Sequence, residues 1–276
     1  MKSHLLFLQA LTPLHAGTGQ GTGLIDLPIA RERATNWPYL PGSSLKGTLR
    51  AGSAFDEREK TRVFGSPDGQ GALQFADARL AIFPARSLRG TLCYASSPLV
   101  LSRLARDAKM CGVEVPPISE NQGALVTPSS VLVGNGEKLV LEDLDVVAQK
   151  SETAQGWAKF FAERVFDESE RVFDESERAA FEKRFVILPQ NVFDFLVETA
   201  TEIVARVKLE DDTKTVQPGG LWYEELLPTE SVLCAIVTAT GAQLNADLNA
   251  LKAIESAQFG GKTGVGRGLC RVRGAF

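Results

Sequence analysis

The chain has 276 residues, 44% hydrophobic and 23% charged, a composition that excludes intrinsic disorder and supports one elaborated domain with its own core. No run nears the roughly 18 apolar residues of a membrane span, and Leu5 to Leu8 is too short for the apolar part of a signal sequence, so a cytoplasmic location and no membrane partner are expected. Cys93, Cys111, Cys234 and Cys270 form no C-x-x-C pair and the only histidines are His4 and His15, which leaves a zinc site almost nothing to use and points to reduced, mostly structural thiols; the formal net charge of −4 does not by itself suggest a nucleic-acid binder.

His4 to Leu11 is a compact apolar run ended by Thr12-Pro13 and reads as a buried first strand. Residues 14–42 are rich in Gly and Pro, with glycines at 17, 19, 21 and 23, and so long an irregular stretch inside a compact domain is usually functional. Ser43 or Ser44 is expected to cap a helix through Leu45 and Leu49 towards Phe55, placing Lys46 and Arg50 one turn apart on a cationic face. A short helix from Glu57 to Val63 follows. Ala72 to Phe83 and Thr91 to Ala95 read as strands, Leu99 to Met110 as a helix and Val113 to Val133 as an irregular strand or hairpin region.

Gln155 to Arg184 is expected to be helical and contains the tandem heptads RVFDESE-RVFDESE, which start at Arg164 and Arg171. Seven residues make two helical turns, so the copies put their Val and Phe on one side and their acids on the other. This is the pattern of a solvated amphipathic helix lengthened by duplication, with no catalytic role. A short helix from Asn191 to Val197, strands from Glu202 to Leu209 and Ser231 to Ala239, a helix from Asn245 to Glu255 and a last strand from Leu269 to Val272 complete the reading. Strands and helices interleave without a regular β-α repeat, so the class is α+β.

The charge is unevenly spread. The segment from Ile29 to Gly52 sets Arg31, Arg33, Lys46 and Arg50 against Glu32, and Ser256 to Phe276 carries Lys262, Arg267, Arg271 and Arg273 with no acid, while the acids gather between 142 and 177. Basic ends and an acidic middle suit a protein that offers one face to a polyanion. The stretch GGKTGVGRG, Gly260 to Gly268, is not a P-loop, because Ser256 stands where that pattern needs glycine, and Leu269 after Gly268 breaks G-x-G-x-x-G. Its glycines Gly261, Gly264 and Gly266 allow close backbone approach to phosphate, and Lys262, Thr263 and Arg267 add charge and a hydroxyl. By residue type alone, Asp26 before Pro28 is an ordinary turn residue, and His15 is as readily structural as catalytic.

The glycine loop between a helix and a final strand resembles the signature of the RAMP superfamily of CRISPR proteins. LTPLHAGTGQGTGLIDLPIARE (Leu11 to Glu32) and PYLPGSSLKGTLR (Pro38 to Arg50) are similar to the N-terminal region of the type III-B backbone subunits within it. The resemblance implies a ferredoxin-like, RRM-type core in a single domain over 1–276, with the core at about 1–110 and 199–276 and an insertion at about 111–198. That insertion would hold a thumb hairpin, for which Val113 to Val133 is the candidate, beside the acidic helix. The implied function is binding of guide RNA by repeated copies, together with other type III-B subunits, and cleavage of the guide-paired target RNA.

In this comparison Asp26 matches the target-cleaving aspartate and implies a divalent cation, Mg2+ or Mn2+, which it would help to hold; His15, Glu224 and Glu225, with Tyr223 beside them, are secondary candidates. Lys46 matches a guide-RNA backbone contact of the family, and Ser43, Ser44 and Arg50 on the same helix, with the loop residues from Gly261 to Arg267, are further RNA-binding candidates by residue type and position. Two other readings stay open: a non-catalytic structural RAMP subunit, and a guide-RNA-processing endoribonuclease in which His15 would serve as acid or base.

Overall fold

The computed structural model describes residues 2–21, 23–118, 123–134, 137–165, 173–240, 248, 251 and 253–275. In chain order the first part contains β1 (Lys2–Ala10), β2 (Tyr39–Leu40), α1 (Gly42–Gly52), α2 (Glu57–Phe64), β3 (Gly65–Ser66), β4 (Gly69–Gln70), β5 (Leu73–Phe75), β6 (Ala78–Ser87) and β7 (Thr91–Ser96). The middle contains α3 (Pro98–Met110), β8 (Ala124–Val126), β9 (Lys138–Leu141), β10 (Leu144–Lys150), α4 (Glu152–Val165), α5 (Phe173–Glu182), β11 (Phe185–Ile187) and α6 (Gln190–Thr199). The last part contains β12 (Glu202–Leu209), β13 (Val216–Leu226), β14 (Val232–Ala239), β15 (Ser256–Gln258) and β16 (Leu269–Ala275).

The fold is mixed α+β. One large sheet runs β15-β16-β1-β14-β6-β7-β11-β8-β10-β9, with β2 on β6 and β5 on β14. Strand β9 returns to β6 through Ser87 and Leu141, so that β6, β7, β11, β8, β10 and β9 close into a barrel-like circuit. Strand β1 lies between β14 and β16, antiparallel to both.

The unbroken apolar run of β1 follows from cover on both faces. Leu6, Leu8 and Ala10 enter one core cluster with Leu45, Leu49 and Leu233, while Leu5 and Phe7 enter another with Leu101, Trp157 and Phe161. Phe7 meets Phe160 and Phe161 edge to face at ring separations of 6.4 Å in both cases. Each such buried side chain stabilises the fold by roughly 1.5–3 kcal/mol. Burial also pushes the thiols of Cys93 and Cys270 up to about 12, consistent with inert structural cysteines.

Helices begin where local chemistry satisfies their free N–H groups. The Ser97 side chain accepts from Val100 ahead of Pro98, and Asp56 and Glu59 form a reciprocal capping box on α2. Helix α1 corrects the expected serine cap: it starts after Pro41, and the Gly42 N–H donates to Asp77 Oδ1 at 2.7 Å. A partner remote in sequence does the capping.

Two other expectations change. Val113 to Val133 forms no free hairpin among its described residues, because its strand β8 is paired on both sides by β10 and β11. The two-stranded ribbon that stands apart from the large sheet is β12–β13. The helix expected from Gln155 to Arg184 is two helices, α4 and α5, and residues 166–172, which hold most of the first heptad and the start of the second, lie outside the described residues. Most of the helix expected over 245–255 also lies outside them, although Leu248, Leu251 and Ile254 are buried in the first core cluster. No described helix is long and apolar enough to cross a membrane.

Candidate active site

The glycine-rich segment after β1 is a folded-back ribbon held on two sides. Bridges Leu14–Leu227 and Leu27–Glu224 tie it to the β13 side, Gly17–Ile29 closes it on itself, and His15–Gly261 ties it to the C-terminal loop. Gly261 N–H donates to the His15 carbonyl at 2.8 Å, and Gly268 N–H donates to the Pro13 carbonyl at 2.9 Å. Close approach explains the glycines here: a Cβ on Gly17 would stand 2.5 Å from His15 Nε2, and Gly260, at φ +76°, packs directly on the His15 carbonyl. Blocks from opposite ends of the chain thus meet at one place.

Three carboxylates gather there in different environments. Asp26 is exposed, and its Oδ2 accepts from the Tyr223 backbone N–H at 2.8 Å. Glu224 is buried on β13, where its Oε1 accepts from Trp222 Nε1 at 2.8 Å and pairs with Lys262 Nζ at 2.9 Å. Burial disfavours its charge, but the hydrogen bonds from Trp222 and Lys262 and the charges of Lys262 and Arg206 prevail, holding the carboxyl below its ordinary value. Glu225 is also buried and fully engaged: Oε1 takes Arg31 at 2.6 Å and Thr201 at 3.0 Å, and Oε2 takes the Ile29 N–H at 3.1 Å. That carboxylate is a clamp on the Asp26 ribbon.

His15 is buried, with Nδ1 2.9 Å from the Glu225 carbonyl oxygen, an arrangement that fixes the ring as part of the clamp. A cleft of about 400 Å3 opens between the ribbon, β13 and the C-terminal loop, lined by Gly21, Asp26, Leu27, Leu221, Trp222 and Lys262. The cleft therefore presents one exposed carboxylate, one ammonium and one indole ring. The sequence reading missed Trp222, Arg31, Thr201 and Arg206 as parts of this site. Only Trp222 carried a signal, as the neighbour of the acidic pair.

Of the remaining candidates, Ser43 is exposed and Ser44 and Lys46 are half-buried on the first turns of α1. Arg50 is spent internally, donating to the Gly65 carbonyl at 2.6 Å and pairing with Glu57 at 3.6 Å. In the C-terminal loop Gly261, Thr263, Gly264 and Gly266 are exposed and Arg267 is half-buried, with a short 3-10 turn over Thr263–Val265. Left-handed backbone at Lys262 and Gly266 shapes that turn.

A family model described as the RAMP superfamily matches residues 7–271. A Pyrococcus furiosus protein named "CRISPR system Cmr endoribonuclease Cmr4" is 34% identical, the alignment covering 99% of this chain and 95% of that protein. "CRISPR system CMR subunit Cmr4" of Saccharolobus solfataricus is 24% identical, with 97% and 94% covered. Oligomeric Cmr4 from Pyrococcus furiosus superposes with a TM-score of 0.76 at 28% identity, covering 99% of this chain and 98% of that one. A chain of the type III-B Cmr-beta complex bound to cognate target RNA shares the fold, with a TM-score of 0.76 at 17% identity over 99% and 97% of the two chains. With a family match over nearly its whole length and a full-length Cmr4 relative above 30% identity, this chain belongs to the RAMP superfamily of CRISPR proteins.

Proposed function

We propose that the chain is a guide-RNA-binding backbone subunit of a type III-B CRISPR effector complex that cuts guide-paired target RNA at the Asp26 cleft. The observation that carries this reading is the cleft itself: an exposed carboxylate held by a backbone N–H and set among a lysine and an indole, in a full-length relative of a protein named an endoribonuclease. RNA cleavage needs the 2′-hydroxyl, the phosphorus and the leaving oxygen in line, with a base at the hydroxyl. Asp26 is free to be that base, whereas the carboxylates of Glu224 and Glu225 are committed to neighbouring side chains.

Guide RNA, target RNA, further copies of the chain and other type III-B subunits are the partners in this reading, and the cytoplasm is its setting. The oligomeric crystal form of the Pyrococcus furiosus relative supports self-assembly. A ferredoxin-like core is supported by the antiparallel order β16-β1-β14-β6, which is the 4-1-3-2 order of that fold with α1 on the first crossover. The domain is then single, with core strands before residue 110 and after 199. The part from 111 to 198 is an insertion whose strands complete the barrel-like circuit. The β12–β13 ribbon takes the thumb role, a reading supported by its separation from the large sheet and by the exposed apolar side chains Ile203, Val207 and Leu221.

The Mg2+ or Mn2+ implied by the resemblance finds little to bind. Among the described residues no three His, Cys, Asp or Glu side chains converge on one point, and Asp26 is the exposed carboxylate of the cleft. These residues do not fit a resident metal centre. An ion enters this reading only as one carried by the RNA phosphates and touched by Asp26.

The test is Asp26→Asn in the assembled complex. Single-turnover cleavage of a guide-complementary RNA, with and without Mg2+ or Mn2+, should fall by at least about 100-fold, the low end of general-base contributions. Binding of guide and target on the same preparation should stay at wild type, because Asp26 lies outside both core clusters. Cleavage at the wild-type rate would remove Asp26 from catalysis and favour a purely structural subunit.

A further inference from the structure

We propose that Lys262 is a catalytic residue of the cut, giving its proton to the departing 5′-oxygen, with Glu224 as its positioning residue; this rests on the Asp26 reading above. The motif containing Lys262 suggests a different task, contact with the RNA backbone from an open glycine loop. The geometry turns the side chain elsewhere. Its Nζ lies 2.9 Å from Glu224 Oε1 and 5.7 Å from the centre of the Trp222 ring, and the side chain remains 33% exposed on the cleft that Asp26 also lines.

Two consecutive residues of β13 hold the two groups. The Tyr223 N–H holds Asp26 Oδ2, and the Glu224 carboxylate holds the Lys262 ammonium. The parallel bridge between Leu27 and Glu224 fixes the Asp26 ribbon in register with the same strand. Trp222 Nε1 donates to the Glu224 oxygen that also receives Lys262, so the carboxylate cannot swing away without breaking both bonds. A base and a cation on one wall are the two parts that an in-line transfer needs when the protein brings no metal cluster.

The step balances on these two groups. The 2′-hydroxyl gives its proton to Asp26 as the O2′–P bond forms, and the P–O5′ bond breaks as Lys262 passes a proton to O5′. The products are a 2′,3′-cyclic phosphate and a 5′-hydroxyl end, with no redox change and no further reactant.

The experiment compares two target RNAs in the assembled complex under single-turnover conditions, one with an ordinary scissile phosphate and one with sulfur replacing the bridging 5′-oxygen. Sulfur leaves without needing a proton. Lys262→Met should cut the ordinary RNA about 100-fold or more slower than wild type, yet cut the sulfur-bridged RNA close to the wild-type rate. Asp26→Asn should be slow on both, so a fault in the Asp26 reading appears as fast cutting by that variant, whatever Lys262→Met does. Because Lys262→Met strands a buried carboxylate, Lys262→Met/Glu224→Gln is the second variant and should show the same loss and the same sulfur rescue. Equal slowing on both RNAs, wild-type cutting of the ordinary RNA, or loss of guide or target binding in the double variant would each overturn the assignment.

Discussion

Asp26 is tied to the strand that carries Glu224 and Glu225, yet the three carboxylates meet different fates, and the difference lies in what each oxygen touches. Glu225 is the one whose loss should be structural. Its partner Arg31 has a side chain only 15% exposed, so removing the carboxylate charge leaves a guanidinium largely buried and uncompensated. Breaking such a pair costs on the order of 3 kcal/mol. Glu225→Gln should therefore lower the Tm by several degrees in a thermal melt, while Asp26→Asn should leave it near wild type. An unchanged melt for Glu225→Gln would show that the clamp is dispensable. The sequence allowed Asp26 to be singled out and paired it with an acidic, aromatic segment, but it gave no reason to separate Glu224 from Glu225. Their roles depend on Arg31, Thr201 and Lys262, which are remote in the chain and come together only through the folded ribbon.

At the scale of elements, legibility followed burial. Strand β1 and helix α3 were readable because continuous or periodic apolar residues face covered surfaces, and the observed bounds differ from expectation by at most two residues. Strand β13 was not read as a strand, because Gln217, Pro218, Gly219 and Gly220 interrupt its pattern and residues of that kind are depleted in strands. Val113 to Val133, where the thumb is expected, instead contributes strand β8 to the barrel-like circuit. The β12–β13 ribbon gives a direct test. Replacing residues 208–220 with a two-residue Asn-Gly turn joins Val207 to Leu221, which already pair. The contacts of Trp222, Tyr223 and Glu224 at the cleft lie on the retained side. Guide binding should survive, and target cleavage should drop at least about 10-fold if the ribbon orients the scissile phosphate. Cleavage at the wild-type rate by the shortened chain would deny the ribbon a thumb role.

Across the whole molecule the basic ends are less available than their count suggests. Arg31 is committed to Glu225, Arg50 to the Gly65 carbonyl, and Arg271 to Gln9 and Glu177. Much of the positive charge that the sequence places at the two ends thus joins segments of the fold. Lys46 differs: it sits half-buried on the first turns of α1, and no hydrogen bond or ion pair engages its ammonium among the described residues. Asp77 occupies the Gly42 N–H at the start of the same helix, so a phosphate approaching that turn relies on Lys46 more than on the helix end. A lysine–phosphate contact carries no base information and releases counterions, so its loss should weaken guide binding alike for every guide sequence. Lys46→Ala should reduce the slope of log affinity against log salt by about 0.7, the value for one contact on single-stranded RNA. Arg50→Ala supplies the contrast, because its guanidinium already serves the fold. That variant should leave the slope unchanged and lose about 1 kcal/mol of stability with the hydrogen bond to Gly65. Filter-binding titrations of both variants across a salt series, paired with thermal melts, separate the two roles. A Lys46→Ala curve that overlies wild type at every salt concentration would remove α1 from the guide-binding surface, and a flattened slope in Arg50→Ala would mean that RNA draws this side chain away from its place in the fold.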